Sequence, residues 1–371
     1  MKLSMIDQDL LTRQLGELAR AVEELLQAGL TAAGTATRET LDVTFREASR
    51  LKLLRLASTL RGANDEIGRF LSQPAEFSAK RLVFFLNRAW MLARGLAHAI
   101  STNNDAEWDR LLWMPETAPV ERLDVVTLGV GKKVSKGTFC AFEFRLRRVQ
   151  LEGNDDIPTR LSWSCIFPLR QGTEIPPEGF LQMPQKQKFK AAVFLEPRVI
   201  SLTNVLVAAD TWGAGKITLT AESTVTVGEA FDAWDQFQAW SPDRLLERVQ
   251  THEASPFDLE VELQDEAVLA DWQVHACEPE PRDDQYIYPL GCGHLVLDAV
   301  VSIGVDGQAL QKRMNGLVKA KDRSPLFGLV HFDRCRTIFQ PLSLLGSQGP
   351  EFVMISNDKV DKAALLKTLK F

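Results

Sequence analysis

Apolar side chains recur at helical spacing from the start of the chain. Leu11, Leu15, Leu18, Val22, Leu25 and Leu26 alternate with Arg13, Glu17, Arg20 and Glu24. That pattern predicts an amphipathic helix over 7–30, ending near Gly29. A second helix is expected from Thr40 to Leu60, with Phe45, Ala48, Leu51, Leu54 and Ala57 on one side and a stop before Gly62. A short third helix is expected at 65–71. A fourth is expected after Ser78 and on to Ile100, where Leu82, Val83, Phe84, Phe85, Leu86, Ala89, Trp90, Leu92, Ala93 and Leu96 leave little polar surface. A helix apolar almost all round is normally the central member of a bundle. Ser101-Thr102-Asn103-Asn104 reads as its stop and turn.

The period changes after Pro119. Phe142, Phe144 and Leu146 alternate with Glu143, Arg145 and Arg147, as in a half-buried strand. Strands are expected at 123–130, 139–151, 161–169, 189–195, 198–208, 216–221 and 224–227, with a hairpin loop over Gly131–Gly137. Helical patterning returns over 229–250, where Phe231, Trp234, Phe237 and Trp240 precede the cap signal Ser241-Pro242-Asp243. The last part mixes strands (257–263, 272–277, 294–303, 326–332, 337–345 and 352–356) with helices near 308–318 and 358–369. The fold class is therefore α+β and multidomain. A helical bundle (1–118) precedes a basic antiparallel β domain, barrel or sandwich (119–228). A helical connector (229–252) then leads to a mixed α/β, β-rich domain (253–371) that is acidic at its start.

Composition adds limits. The 371 residues are 45% hydrophobic and 25% charged, the range of a globular chain. No run of eighteen apolar residues is present, so no membrane-spanning helix is expected, and Asp7 interrupts the start where a signal peptide is apolar. Five sparse cysteines do not form a disulfide framework and suit a reducing, cytoplasmic setting.

Charge is strongly segregated. Residues 122–216 carry 14 Lys and Arg against 9 Asp and Glu, whereas residues 217–310 carry 3 against 19. Such fields speak of partners and docking, not of fold.

Enzyme motifs fail on inspection. Gly129-Val130-Gly131-Lys132-Lys133 and Gly213-Ala214-Gly215-Lys216-Ile217 resemble phosphate loops, but neither places Ser or Thr directly after the lysine, and both lie between strands. They read as hairpin turns. No hydrolase, zincin or dinucleotide motif is found. Asp258, Glu260 and Glu262 alternate on one strand face, which reads as solvated or partner-facing. One arrangement has metal-ligand chemistry: His275-Ala276-Cys277 and Cys292-Gly293-His294. Ligands at i and i+2 on a strand share a face, and two such pairs brought together make a tetrahedral set suited to zinc. The same residues also read as core thiols and hydrogen-bonded imidazoles beside a glycine turn.

The His-x-Cys…Cys-x-His order resembles the SWIM zinc-binding motif, with His275 standing where that family has its first cysteine. Leu326-Phe327-Gly328-Leu329-Val330-His331-Phe332 and Gln340-Pro341-Leu342-Ser343-Leu344 are similar to the β-rich C-terminal portion of bacterial SWIM proteins. The resemblance implies a AAA+ ATPase of the MoxR type and its von Willebrand A-domain companion as partners.

The basic β domain carries a different possibility. Lys132, Lys133, Lys136, Arg145, Arg147, Arg148, Lys186, Lys188 and Lys190 lie in it, interleaved with Phe139, Phe142 and Phe144. Basic strands with stacking rings grip single-stranded nucleic acid. The same cations suit docking on the acidic segment or on a protein partner. The expected function is that of a non-catalytic accessory or adaptor protein working through protein contacts. The alternative is a nucleic-acid-binding component using 122–216.

Overall fold

The computed structural model describes residues 7–30, 35–72, 74, 77–112, 117–135, 139–149, 157–169, 176–209, 213–237, 247, 264–281, 285–304, 307–320, 324–333 and 336–356. It is an α+β structure of two compact units, 1–115 and 116–371. No helix among the described residues is long and apolar enough to cross a membrane. The expected strand 257–263, the acids of that strand, the helix 358–369, Lys136 and the cap signal at 241–243 lie outside the described residues.

The first unit is helical: α1 (Gln8–Ala28), α2 (Thr35–Arg50), α3 (Leu54–Ser72), α4 (Ala79–Ser101) and α5 (Asp105–Leu112). The Asp7 carboxylate caps α1 by accepting from Leu10 N at 3.0 Å, and Gly29 ends it at φ 79. The expected helix across 40–60 is two helices. Its break falls at Lys52, which adopts φ 57, and not at Gly62. Gly62 lies inside α3 because a Cβ there would come within 2.6 Å of the Phe85 ring, so the glycine serves the α3–α4 approach. Glu66 is almost fully buried. It accepts from Ser78 N at the start of α4 at 3.0 Å and pairs with Arg81 at 2.9 Å. α4 packs on α1, α3 and α5, as its apolar surface demands, yet leaves Val83 and Phe84 exposed.

The second unit opens with β1 (Thr117–Ser135), β2 (Phe139–Arg148), β3 (Arg160–Pro168), β4 (Arg198–Ala209) and β5 (Ala214–Ala230), closed into a barrel in the order β1-β2-β3-β5-β4. Every pairing is antiparallel except β3 with β5. The expected strand 189–195 is instead a 3₁₀ turn, Ala191–Leu195, on the β3–β4 connection. The two expected strands at 216–227 are one strand, with a register irregularity opposite Asn204. The expected helix over 229–250 begins as the end of β5 and then a single 3₁₀ turn, Trp234–Gln236.

A second sheet follows: β6 (Asp265–Leu269), β7 (Gln273–Val274), β8 (Gln285–Cys292), β9 (Leu295–Ser302), α6 (Gln308–Leu317), β10 (Leu326–Asp333), β11 (Arg336–Gly346) and β12 (Gly349–Phe352). Its order is β6-β10-β11-β9-β8-β7, with β12 added on β11. The two end strands, β6 and β7, are separated in the chain only by Ala270, Asp271 and Trp272. One interrupted strand thus supplies both edges, and the sheet returns on itself. Trp272 fills the break, buried, with its indole N–H donating to Ser324 O at 3.1 Å. Counting β6 and β7 as one, the order repeats that of the first barrel. The single parallel pair, β9 with β11, also falls at the same place.

β1 joins the barrels. Residues 123–130 are buried on both faces. Leu123, Val125 and Val130 point into the first core, and Val126 and Leu128 join the core cluster of the second barrel. Gly129 permits the approach: a Cβ there would stand 2.6 Å from Phe327 and 2.8 Å from Leu342. The Ser343 hydroxyl donates to Leu128 O across the same contact.

Candidate functional site

A cleft of about 640 Å³ lies between the barrels. One wall is the outer face of β1, β2 and β3 with the start of β5. Strand register places its residues in rows. Gly129, Arg145, Ser162 and Lys216 stand side by side, then Gly131, Glu143 and Ser164, then Lys133, Ala141 and Ile166. The wall is thus low at Gly131, Ala141 and Ser164, with Lys133 and Lys216 at its corners and Arg145 and Glu143 on its central strand. Lys133 and Lys216 are exposed. Arg145 pairs with Glu143 at 2.9 Å within the wall. The opposite wall brings Gln264, Gln285, Ser302, His331, Gln340 and Met354 from the second barrel.

A β-bulge decides which lysine reaches the cleft. The register of β1 against β2 slips between Thr127 and Gly129, and this reverses the inward and outward sides of everything after it. Lys132 therefore turns inward, buried, and donates to Glu178 at 2.8 Å. Lys133 turns outward. Glu178 also accepts from Ser356 N at 3.2 Å, so this inward pair secures the chain just beyond β12.

The other basic residues divide in two. Arg145 lies 3.9 Å from Glu266, Arg147 pairs directly with Glu266, and Arg160 with Asp265. Arg147 also sits 6.0 Å from the Phe327 ring centroid. These arginines dock the basic barrel on the start of the second one, inside the molecule. Arg148 donates to Ile157 O at 3.0 Å. Lys186, Lys188 and Lys190 are exposed on the β3–β4 connection. Gln187 holds that segment against β5 by donating to Thr220 O at 2.9 Å. Phe142 and Phe144 are fully buried and stack in the first core with Trp163, Phe167 and Phe194, so they offer no platform to bases.

The four candidate zinc ligands are not brought together. β7 and β8 pair Gln273 with Gly291 and Val274 with Leu290, and the pairing continues with His275 N donating to Pro289 O. The ladder then slips by one residue, Glu278 N donating to Ile287 O, which sets Cys277 beside Tyr288, whereas Cys292 falls opposite Trp272. Along β8 this puts His275 three residues and Cys277 four residues from Cys292, about 10 and about 13 Å at 3.3 Å per residue. Among the described residues no group of three or more His, Cys, Asp or Glu could hold a metal ion. Cys277 and Cys292 are half-buried against the second core, and His275 and His294 are exposed. Burial raises the Cys292 thiol, with Asp271 adding to the effect. Burial, together with the neighbouring Cys277, pushes the Tyr288 hydroxyl up to about 12.

What sequence reasoning missed is the cleft's second wall. Gln285 lies on a strand, Gln285–Cys292, whose Tyr286, Tyr288, Pro289 and Gly291 give no clean alternation, and Gln264 borders the acidic run. Lys216 was legible as a residue of a lysine–glycine turn, but its place beside Arg145 depends on the parallel β3–β5 pairing.

No family model and no curated protein matches the chain. Among solved structures it is similar to the tetrameric p202 HIN2, at 11% identity and a TM-score of 0.28, over 65% of this chain and 97% of that one. It is also similar to a murine DNA binding protein bound with double-stranded DNA, at 12% identity and a TM-score of 0.23, over 60% and 94% of the two chains.

Proposed function

We propose that this chain binds single-stranded nucleic acid in the cleft between its two barrels. The observation that carries the reading is the outer wall of β1, β2 and β3, kept low by Gly131, Ala141 and Ser164 and cornered by Lys133 and Lys216, facing an open cleft. Five-stranded Greek-key barrels of the oligonucleotide/oligosaccharide-binding type present the face of their second and third strands to such ligands. Here that face opens on the cleft, not on bulk solvent. Lys186, Lys188 and Lys190 add exposed positive charge on the segment that Gln187 holds against β5. Phosphate attraction of this kind is strongly salt-dependent.

Fluorescence anisotropy with labelled single-stranded DNA and RNA tests it. Affinity is expected to fall steeply with salt. Changing Lys133 and Lys216 together to Glu should weaken binding at least about tenfold, and removing two cations lowers the log–log salt slope by about 1.4. Equal affinity of that variant and the parent protein would refute the site.

A second reading has its own observation. Val83 and Phe84 are exposed side by side on α4, with the Arg88 guanidinium 5.9 Å over the Phe84 ring. They suit the accessory role, with a AAA+ ATPase of the MoxR type as the proposed partner. Loss of a co-purifying ATPase on Phe84→Ser would support that role, and unchanged recovery would argue against it.

A further inference from the structure

We infer that the two walls of the cleft divide the ligand between them, the first barrel holding phosphates and the second reading bases by their edges. The inference rests on the nucleic-acid reading above. Its basis is an asymmetry of charge. Lys133, Glu143, Arg145 and Lys216, the Lys, Arg and Glu side chains that face the cleft among the described residues, all belong to the first barrel, and Lys132, which borders it, is turned inward on Glu178. The second barrel's lining residues carry neither a basic chain of that kind nor a carboxylate. They are three glutamines, a serine, a histidine and apolar groups.

The geometry of the first wall suits a sugar–phosphate chain. Gly131, Ala141, Ser162 and Ser164 keep it low, so a backbone can lie close. Lys133 and Lys216 stand at opposite corners, four residues and three strands apart. At 3.3 Å per residue and 4.8 Å per strand the offsets are about 13 Å along and about 14 Å across. That span suits a segment of a few nucleotides and not a lone phosphate.

The second wall suits base edges. A glutamine amide offers two donors and an acceptor, the pattern that pairs side by side with adenine and, singly, with other bases. Gln264, Gln285 and Gln340 are only half-buried. Gln340 spends its amide nitrogen on a weak contact, 3.7 Å from the Met354 sulfur, which a base edge replaces at little loss. Ile166, 67% exposed, and Met354 give the bases apolar contact.

Of the two rings that line the cleft among the described residues, Phe142 belongs to the first core and His331 is buried. Stacking on aromatic rings tolerates any base, whereas edge hydrogen bonds do not. Binding through these amides therefore discriminates among bases.

The test uses the full chain at low salt, with the four DNA homo-oligomers of about 12 nucleotides and an abasic strand of equal length. The homo-oligomers are expected to differ among themselves at least about tenfold, and the abasic strand to bind at least about tenfold more weakly than the best of them. Gln285→Leu and Gln340→Leu should narrow that spread and leave the salt slope unchanged, while Gln285→Asn, which keeps the amide, preserves most of it. Lys133→Gln should weaken all strands alike and lower the slope. Equal binding of all five strands overturns the division of the walls and leaves nucleic-acid binding standing. No binding of any strand overturns both.

Discussion

At the scale of single residues, adjacent side chains of one type meet opposite fates. Lys132 and Lys133 are indistinguishable as sequence, since both lie between glycine and a run of β-formers. The bulge at 127–129 is what sends one into the barrel and the other to the cleft. Lys132→Met leaves the buried Glu178 carboxylate without its partner, and breaking such a pair costs about 3–5 kcal/mol. Lys133→Met, on the surface, should change stability by less than about 0.5 kcal/mol. Urea unfolding of the two variants checks this, and equal midpoints would place Lys132 in solvent. The thiols divide similarly. Burial pushes Cys140 and Cys165 up to about 12. At a pH of about 8 their thiolate fractions are negligible, and reaction runs through the thiolate. Peptide mapping after alkylation should find both unlabelled in native protein and labelled in urea. Native labelling of either at the rate of half-buried Cys277 would contradict the barrel core.

At the scale of elements, period and caps were readable, and pairing was not. Helices α1 and α4 are legible from their leucine spacing and from Gly29 and Ser78, because a helix satisfies its hydrogen bonds within itself. The expected helix over 40–60 missed the break at Lys52 and stopped short of the end of α3. Gly62 reads locally as a stop, but its reason is the Phe85 ring of another helix. Strands depend on partners far away in the chain. The His275–Cys277 and Cys292–His294 pairs each share a strand face, yet the β7–β8 register holds them apart along the ladder. A chelator is accordingly expected to leave the thermal midpoint unchanged, and a drop of several degrees on metal removal would restore the site. Gly129 is the converse case, a glycine in a strand whose purpose is a neighbouring sheet. Gly129→Val drives a side chain into Phe327 and Leu342, an overpacking that costs about 1–3 kcal/mol. Gly213→Val meets nothing in the way of a Cβ, although its φ of 74 imposes backbone strain.

At the scale of the molecule, charge segregation is answered from within. Basic strands of the first barrel and the acidic start of the second meet through Arg147 with Glu266 and Arg160 with Asp265. The summed charges of 122–216 and 217–310 hinted at such docking, but could not separate it from attraction for an outside partner. The contact is not electrostatic alone. β1 gives one face to each core, so neither barrel keeps its strand if the other opens. The paired barrels are therefore expected to exchange their slowest amides with one common opening free energy. Amides of β2 in the first barrel and β9 in the second should share it. Glu266→Arg sets three like charges together with Arg145 and Arg147 and should lower that free energy equally in both barrels. It should also widen the cleft, since these arginines stand on its first wall or beside it. Hydrogen exchange read residue by residue decides the matter. Faster exchange confined to β6 and β10 would mean that the barrels are separate folding units, and that the cleft owes its width to surface charge and not to the shared strand.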